Sequence, residues 1–242
     1  MTTEAPTIVA TSGGLVRGAR TAFAFGPLLR HVLERAGTTG RPRLCHIGTA
    51  SGDDRAYQAR FSEAGAAAGV SVSHLNLFPM PPSADLTAFL LDHDAVWVGG
   101  GSVANLLALW RLHALDEALR TAWAQGVVLA GVSAGSICWH VGGTTDSFGP
   151  ELSLVGNGLG LLPYANGVHH DSEPRRRPLL KALVANGALP STYATDDGVG
   201  LVYVGTELVE AVSEIPGKGA YVVTRRGDDA VEERIEPRLL AS

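Results

Sequence analysis

Cysteine is scarce in this chain, since only Cys45 and Cys138 occur among its 242 residues. Two cysteines so far apart supply neither the spacing of a zinc site nor a disulfide framework, and both are predicted to be small buried hydrophobic residues. Long apolar runs are missing too, because no stretch approaches the roughly 18 residues that span a bilayer. Residues 1–6 have neither the basic start nor the apolar core of a signal segment. These absences predict a cytoplasmic protein that has no contact with a membrane.

A surplus of positive charge is also absent. The formal net charge is -5 and charged residues make up 18% of the chain, so no broad cationic surface is available for nucleic acid or anionic lipid. Hydrophobic residues make up 45% of the chain, which is typical of a globular protein with a substantial core. No repeat, low-complexity tract or long linker interrupts it. We therefore predict a single domain over residues 1–242.

Strand-like and helix-like segments alternate along the first half of the chain, which is the rhythm of a parallel sheet covered by helices on both faces. The predicted strands are residues 7–12, 43–48, 70–77, 95–98 and 127–130, and the predicted helices are residues 28–36, 57–68, 84–91 and 103–123. Short runs between turn residues follow at 201–204, 207–212, 219–225 and 230–235. The sequence thus predicts an α/β fold: a mostly parallel sheet, sandwiched by helices, with antiparallel edge strands near the C-terminus.

The most informative motif is a Gly-x-Ser-x-Gly pentapeptide centred on Ser133, which follows the apolar run of residues 127–130. This pattern predicts a strand, a tight turn and the start of a helix. Such a turn projects the serine hydroxyl above the sheet edge, while the N–H groups at the helix start remain free. Gly131 and Gly135 would allow the unusual backbone angles and close contacts of the turn. Ser133 is thus the candidate nucleophile, although small residues also occur at ordinary strand-to-helix turns.

A nucleophilic serine needs a base and a group that orients the base. Asp146 lies in a polar, glycine-rich segment predicted to be a loop after the serine turn, and His169 lies where a later loop could return to that turn. His170 is an alternative base, and Asp196 or Asp197 is an alternative orienting carboxylate. Loop histidines are often merely exposed to solvent, and loop aspartates often cap helices. The joint placement of these residues after the serine turn favours the catalytic interpretation.

Three glycines follow the predicted strand at 95–98 and precede a predicted helix. Glycines there let the backbone turn sharply and expose N–H groups to a ligand. The segment lacks the Gly-Lys-Ser/Thr ending of a phosphate loop and the spaced glycines of a dinucleotide site. If this strand neighbours the strand before Ser133, an N–H group of Gly100 or Gly101 and that of Ala134 could form an oxyanion hole. The alternative explanation is tight packing of helix against sheet.

Several short blocks follow one another in the middle of the chain: Gly99-Gly100-Gly101-Ser102-x-x-Asn105-Leu106-Leu107, Gly131-Val132-Ser133-Ala134-Gly135-Ser136, Thr144-Thr145-Asp146-Ser147-Phe148-Gly149, Gly158-Leu159-Gly160-Leu161-Leu162-Pro163 and His169-x-Asp171-Ser172-Glu173. In order and spacing they resemble the peptidase E and cyanophycinase-like serine peptidases. The resemblance implies a fold similar to the class I glutamine amidotransferases, with serine in place of cysteine at the turn, and hydrolysis of peptides. It implies a nucleophile, acid and base at Ser133, Asp146 and His169, and oxyanion donors at Gly100 and Ala134.

The same resemblance implies an aminodipeptidase that favours an N-terminal aspartate, which calls for a fixed cation near the site. Arg175 stands nearest the expected position among the consecutive arginines Arg175, Arg176 and Arg177, although arginines that open a helix are usually solvated. His170 would lie beside the site and contact substrate. Such a mechanism requires no metal and no organic cofactor, and the predicted partner is a short peptide.

Two other functions stay open. An esterase of the α/β-hydrolase type shares the serine turn and the order Ser, Asp, His, but it places the acid and base on much later strands. A non-catalytic, amidotransferase-like binding module would use the turn only to hold a small molecule. The apolar helical stripes at residues 106–115 and 119–123 are expected in the core, yet either could form the interface of a homodimer.

Overall fold

The computed structural model describes residues 6–241. Residues 1–5, where the absence of a signal segment is predicted, lie outside the described residues. The strands are β1 (Thr7–Thr11), β2 (Leu15–Arg17), β3 (Phe23–Phe25), β4 (Arg43–Ile47), β5 (Ser71–Leu75), β6 (Ala95–Val98), β7 (Val128–Val132), β8 (His140–Thr145), β9 (Ser153–Val155), β10 (Leu162–Gly167), β11 (Thr192–Thr195), β12 (Val199–Val204), β13 (Glu207–Ser213), β14 (Ala220–Arg226), β15 (Asp229–Ile235) and β16 (Arg238–Leu239). The helices are α1 (Pro27–Arg35), α2 (Arg55–Ala67), α3 (Leu86–Leu91), α4 (Val103–Leu112), α5 (Leu115–Ala124), α6 (Ala134–Ile137) and α7 (Arg176–Ala185), with a 3-10 turn at Thr49–Ser51. Within residues 6–241, no helix combines the length and the apolar character needed to cross a bilayer.

The larger sheet has eight strands in the order β16-β13-β12-β1-β7-β6-β4-β5. The five strands predicted in the first half of the chain, β1, β4, β5, β6 and β7, form its parallel part. β12 pairs antiparallel with β1, and β13 pairs antiparallel with β12, so two C-terminal strands extend this sheet as predicted. The predicted α/β fold with a mostly parallel sheet is therefore confirmed.

Alternate residues of the parallel strands point into two separate cores, because successive side chains of a strand face opposite sides of the sheet. On one face, Ile8 and Ala10 belong to the core that α3, α4 and α5 cover, where Leu106 is fully buried. On the other face, Val9 packs in the core of α1 and α2 with Phe61. Both faces are thus covered by helices, and the carboxyl ends of the parallel strands meet at one open edge.

A second sheet has six strands in the order β15-β14-β11-β10-β8-β9, and it corrects the prediction that all C-terminal strands extend one sheet. β14 pairs with β11, which lies parallel to β10, and β15 pairs with β14. α7 covers this sheet with Leu180 and Val184. The glycine-rich segment before Asp146, predicted to be a loop, forms strand β8 of the same sheet. Alternation and turn residues identify a strand, but they do not identify the sheet that it joins.

Residues 103–123, predicted as one helix, form the two helices α4 and α5. The helix is interrupted at Ala114, whose φ of 53° lies in the left-handed region. The apolar spacing runs on across the break because both helices bury leucines in one core, among them Leu107 and Leu115. Periodicity alone therefore does not reveal the break. Most leucines of these stripes are buried, whereas Leu112 is 78% exposed, and the homodimer stays a prediction.

Candidate active site

Ser133 occupies a strained turn between β7 and α6. Its φ of 58° and ψ of -114° lie outside the regions that residues with a side chain normally adopt. The backbone holds the turn: the Ser133 N–H donates to the Thr11 carbonyl at 3.1 Å, and the Ser133 carbonyl accepts from the N–H groups of Ser136 and Ile137 at 2.9 and 3.0 Å. Strain that is held in this way is typical of functional residues.

Close backbone contacts require both flanking glycines. A Cβ atom at Gly131 would lie 2.4 Å from the Gly135 carbonyl oxygen, and one at Gly135 would lie 2.2 Å from the Val98 carbonyl oxygen. A side chain at either position would push β6, β7 and α6 apart, since packed interiors hold no spare volume. The steric reason predicted for these glycines is confirmed.

The glycine loop after β6 runs beside Ser133, because β6 and β7 are parallel neighbours. A Cβ atom at Gly100 would lie 3.3 Å from the Ser133 Cβ and 3.8 Å from its Oγ. Gly101 has a φ of 134°, and a Cβ atom there would lie 2.3 Å from the Ala50 carbonyl oxygen, so tight packing also accounts for this glycine. Within residues 6–241, the N–H groups of Gly100, Gly101 and Ala134 donate to no protein acceptor. Free backbone donors thus lie close to the serine side chain.

His169 follows β10 and is tied to the serine turn through the end of β1. The His169 N–H donates to the Ser12 Oγ at 3.2 Å, while the preceding Thr11 accepts the Ser133 N–H. His169 has a φ of 54°, which a residue with a large side chain rarely adopts unless its surroundings impose it. Its Nδ1 lies 2.6 Å from the Asp197 Oδ1. The backbone thus fixes the histidine, and a carboxylate holds its ring.

The carboxylate in contact with His169 is Asp197, one of the two alternatives, and not Asp146. β10 lies between its parallel neighbours β8 and β11, so Asp146, His169 and Asp197 follow three adjacent strand ends. The His169 ring turns toward β11 and therefore meets Asp197. Asp146 has no hydrogen bond to His169 in the described chain and instead lines the cavity in front of Ser133. The sequence brings all three to one edge but does not decide which pair meets.

A second carboxylate supports Asp197 from behind. The Asp171 Oδ1 accepts the Asp197 N–H at 2.9 Å, and the other Asp171 oxygen pairs with the Lys218 ammonium. Burial alone would raise the pKa of Asp171, but the hydrogen bonds from Lys218 and from the Asp197 N–H hold that pKa below its usual value. Asp171 therefore stays ionised and fixes the loop. Asp196 points away, since it is buried and accepts the Gly219 N–H at 2.8 Å.

The Ser133 side chain opens on a cavity of about 370 Å³, whose wall carries charges of both signs. Its lining residues are Gly101, Ser102, Asn105, Ser133, Asp146, Ser147, Glu173 and Arg176. Arg176 is only 4% exposed. Its Nε donates to the Glu173 Oε2 at 2.6 Å and its Nη1 to the Thr144 carbonyl at 2.8 Å, while its Nη2 has no protein partner among the described residues. The cavity therefore offers a ligand one fixed guanidinium and two carboxylates, those of Asp146 and Glu173.

The prediction selected Arg175 as the cation near the site, and the structure corrects it to Arg176. Arg175 is 62% exposed and pairs with Glu151 at 2.6 Å on the surface. Helical spacing could have found the right residue, because Arg176, Leu180 and Val184 share the buried face of α7. A polar residue in line with an apolar stripe faces inward with it.

His170 also lies outside the cavity, contrary to the prediction that it contacts substrate. Its Nε2 lies 2.9 Å from the Glu232 Oε2, and its ring packs against Tyr221 with centroids 5.1 Å apart. Arg177 pairs with the same Glu232. Burial alone would raise the pKa of Glu232, but the hydrogen bonds from Arg177 and His170 lower it. Because the chain turns at His169, the next side chain points to the opposite side of the loop and joins a structural ion cluster.

Neither cysteine competes with the serine as a nucleophile. Cys45 lies on β4 and Cys138 directly after α6, and both are buried and unbridged as predicted. Burial raises the pKa of both thiols, that of Cys45 to about 12, so both stay protonated at neutral pH. Within residues 6–241, no three His, Cys, Asp or Glu side chains form a group that could hold a metal ion.

Comparison with known proteins places this geometry in a family. The sequence model of peptidase family S51 matches residues 8–211, a span that contains the whole cavity wall. A Bacillus subtilis (strain 168) protein, the uncharacterized peptidase YgaJ, is 46% identical over 183 residues, which cover 76% of this chain and 78% of that protein.

Solved structures show the same fold at low sequence identity. A peptidase from an acI-B1 Actinobacterium superposes with a TM-score of 0.71 at 14% identity, covering 97% of this chain and 96% of its own. A protein from Listeria monocytogenes EGD-e named for peptidase E superposes with a TM-score of 0.59 at 15% identity, covering 96% and 100%. The predicted membership of a peptidase E-like family is thus confirmed. The chain belongs to peptidase family S51 and is a serine-type peptidase.

Proposed function

We propose that this peptidase hydrolyses short peptides that begin with an acidic residue, through a triad of Ser133, His169 and Asp197. The observation that carries the proposal is the contact of the His169 Nδ1 with the Asp197 Oδ1 at 2.6 Å. The backbone N–H of His169 also donates to the Ser12 Oγ, next to Thr11, whose carbonyl accepts the Ser133 N–H. Asp197 takes the orienting role first expected of Asp146, because it is the carboxylate in contact with the base.

The catalytic steps follow from acyl-transfer chemistry. Asp197 accepts the Nδ1–H of His169, which leaves the lone pair of Nε2 free to take the proton of Ser133 as its Oγ attacks the scissile carbonyl. The N–H groups of Gly100 or Gly101 and of Ala134 stabilise the oxyanion, each contributing about 3 to 4 kcal/mol. The protonated His169 then donates to the leaving amine. Water cleaves the acyl-enzyme by the same route, and every step uses groups of this chain.

The cavity supports the choice of an acidic N-terminal residue. Arg176 is held on two sides and keeps its Nη2 free, so its guanidinium suits the side-chain carboxylate of a substrate aspartate. Asp146, which has no ion-pair partner among residues 6–241, is available for the substrate's α-ammonium group. A volume of about 370 Å³ fits a residue-sized ligand. Arg176 thereby takes the role first expected of Arg175.

Hydrolysis of a peptide panel by the wild type and by Ser133→Ala tests the proposal. The panel holds Asp-Xaa and Leu-Xaa dipeptides, longer peptides and N-blocked versions of each. We expect Asp-Xaa to be preferred, N-blocking to abolish cleavage, and Ser133→Ala to lower kcat on the order of 10⁴-fold or more. Ser136→Ala is the matched control, because its hydroxyl leaves the same turn toward the Asn166 Oδ1 and lies outside the cavity wall.

Other outcomes point to the other functions. Turnover of short esters without turnover of any peptide would support an esterase. Ligand binding that is equal in the wild type and Ser133→Ala, with no turnover in either, would support a binding module. Cleavage of Leu-Xaa as fast as Asp-Xaa would contradict the role of Arg176 while leaving the triad intact.

A further inference from the structure

An apolar groove of about 380 Å³ runs along α4 next to the catalytic cavity. Its lining residues are Thr49, Ala50, Gly52, Phe78, Asn105, Ala108 and Leu109. Asn105, Ala108 and Leu109 are three and four positions apart, so they lie on one face of α4. The 3-10 turn Thr49–Ser51 forms the floor, and Phe78 forms the opposite wall. None of the lining side chains carries a charge.

The groove adjoins the catalytic cavity. Asn105 lines both. The glycine loop packs between them, because a Cβ atom at Gly101 would lie 2.3 Å from the carbonyl oxygen of Ala50, and the Ser102 N–H donates to the same oxygen at 2.9 Å. Gly101 lines the catalytic cavity and Ala50 lines the groove. A ligand that leaves the Ser133 side of the glycine loop along α4 therefore enters the groove.

Hydrogen bonds fix the backbone at Phe78, whose side chain is 45% exposed. The buried Asp53 accepts the N–H groups of Leu77 and Phe78 on one oxygen at 2.6 and 3.1 Å. The Arg55 Nη2 donates to the Phe78 carbonyl at 2.9 Å. Asp53 itself has a φ of 56°, a conformation that aspartate adopts where the surroundings impose it. A fixed, concave and exposed apolar surface is typical of a ligand site.

We infer that this groove binds the apolar side chain of the second peptide residue, the one that follows the scissile bond. The inference rests on the proposed function: with the N-terminal residue in the catalytic cavity, the next residue is the one that reaches the adjoining space. Since no charged side chain lines the groove, selection there acts on the side chain and not on a terminal carboxylate. We therefore expect the residue after the scissile bond to be apolar. Dipeptides, dipeptide amides and longer peptides should bind alike.

A series with one N-terminal residue and a varied second residue tests the groove. For Asp-Gly, Asp-Ala, Asp-Leu and Asp-Leu-amide, we expect kcat/KM to rise along the first three by about tenfold or more in total and to be similar for Asp-Leu and its amide. Phe78→Ala should remove most of this rise. Leu112→Ala is the matched control, because Leu112 lies on α4 but outside the groove and is 78% exposed. This variant should keep the rise.

A negative charge introduced into the groove gives a second test. Ala108 is exposed on α4, so Ala108→Glu should fold and place a carboxylate in the groove. We expect this variant to prefer Asp-Lys over Asp-Leu, whereas the wild type prefers Asp-Leu. Equal kcat/KM for Asp-Gly and Asp-Leu in the wild type, or a preference that neither Phe78→Ala nor Ala108→Glu changes, would overturn the groove while peptide cleavage itself stands. If another N-terminal residue is preferred, the same series is run on that residue. A wild type that cleaves no peptide would contradict the proposed function and the groove together.

Discussion

The two sheets contribute to the candidate site in different ways. The eight-stranded sheet presents Ser133 and the glycine loop, and backbone contacts fix both: the Val98 carbonyl lies against Gly135, and the Thr11 carbonyl accepts the Ser133 N–H. The six-stranded sheet supplies side chains from the loops after its strands, and hydrogen bonds between side chains fix them, as His169 and Asp197 show.

Because of this difference, we expect substitutions in the two sheets to affect stability and activity differently. Substitutions at the serine turn act on packed backbone, so they change stability together with activity. Substitutions at the edge of the second sheet remove polar groups from partly exposed loops, so they change activity with little effect on stability.

The largest expected effect is on the triad. Asp197→Asn removes the charge that holds the His169 ring. Loss of a buried orienting carboxylate lowers kcat about 10⁴-fold, and because Asp197 is 40% exposed we expect a smaller loss, about 10³-fold. Asp146→Asn should instead act mainly on KM, since Asp146 lines the cavity without contacting the base. Steady-state kinetics of both variants check this. A large loss of kcat in Asp146→Asn, with an effect mainly on KM in Asp197→Asn, would show that Asp146 orients His169.

The next effect is on substrate selection. Arg176→Lys keeps the charge but loses the planar guanidinium, so we expect kcat/KM for Asp-Xaa to fall about 10- to 100-fold. Arg175→Lys, the matched change on the neighbouring exposed residue, should alter kcat/KM less than twofold, because surface ion pairs contribute little. Competition between Asp-Xaa and Leu-Xaa peptides measures the selection. Equal losses in the two variants would show that the buried arginine has no special role.

Within the site, we expect a stability effect at the serine turn. Gly135→Ala places a Cβ atom 2.2 Å from the Val98 carbonyl oxygen, and such overpacking costs about 1 to 3 kcal/mol. Gly40→Ala is the matched control, because nothing lies within 4 Å of a Cβ atom there. Urea denaturation of both variants checks the difference. A Gly135→Ala protein as stable as the wild type would remove the steric argument for the motif.

The smallest effect is a pH dependence of stability that arises at His46, on β4 of the large sheet. Burial, and then the nearby His74, lower the pKa of His46 to about 3. The pKa of His46 is lower in the folded protein than the usual value of 6.5 that it has when unfolded. The free energy of unfolding is therefore highest above about pH 6.5 and falls as the pH drops toward 3. Urea denaturation at pH 7 and pH 5 should show this loss, and His46→Gln should reduce it; an unchanged slope in that variant would contradict the assignment.

The parts of the fold and site that sequence reasoning predicts are those set by local backbone geometry. Gly131 and Gly135 mark the turn, and the order of apolar runs predicts the parallel strands in the large sheet. Both depend on residues that are close in sequence or on one repeated spacing. Ser133 and the neighbouring glycine loop were found in this way.

The remaining features depend on choices between nearly equivalent partners. Asp146 and Asp197 follow strands on either side of β10, and only the direction of the His169 ring decides between them. Arg175 and Arg176 differ in helical phase, and only Arg176 is in line with the buried Leu180 and Val184. No local pattern indicates that β14 and β15 join the second sheet.

Covalent labelling with an alkyl fluorophosphonate tests the triad of Ser133, His169 and Asp197, because the reagent reports an activated serine without any peptide substrate. We expect mass spectrometry to find the label on Ser133 in the wild type and in Asp146→Asn. Labelling should be strongly slowed in His169→Ala and Asp197→Asn. Labelling that Asp146→Asn abolishes and Asp197→Asn leaves intact, or a label on another serine, would contradict the triad.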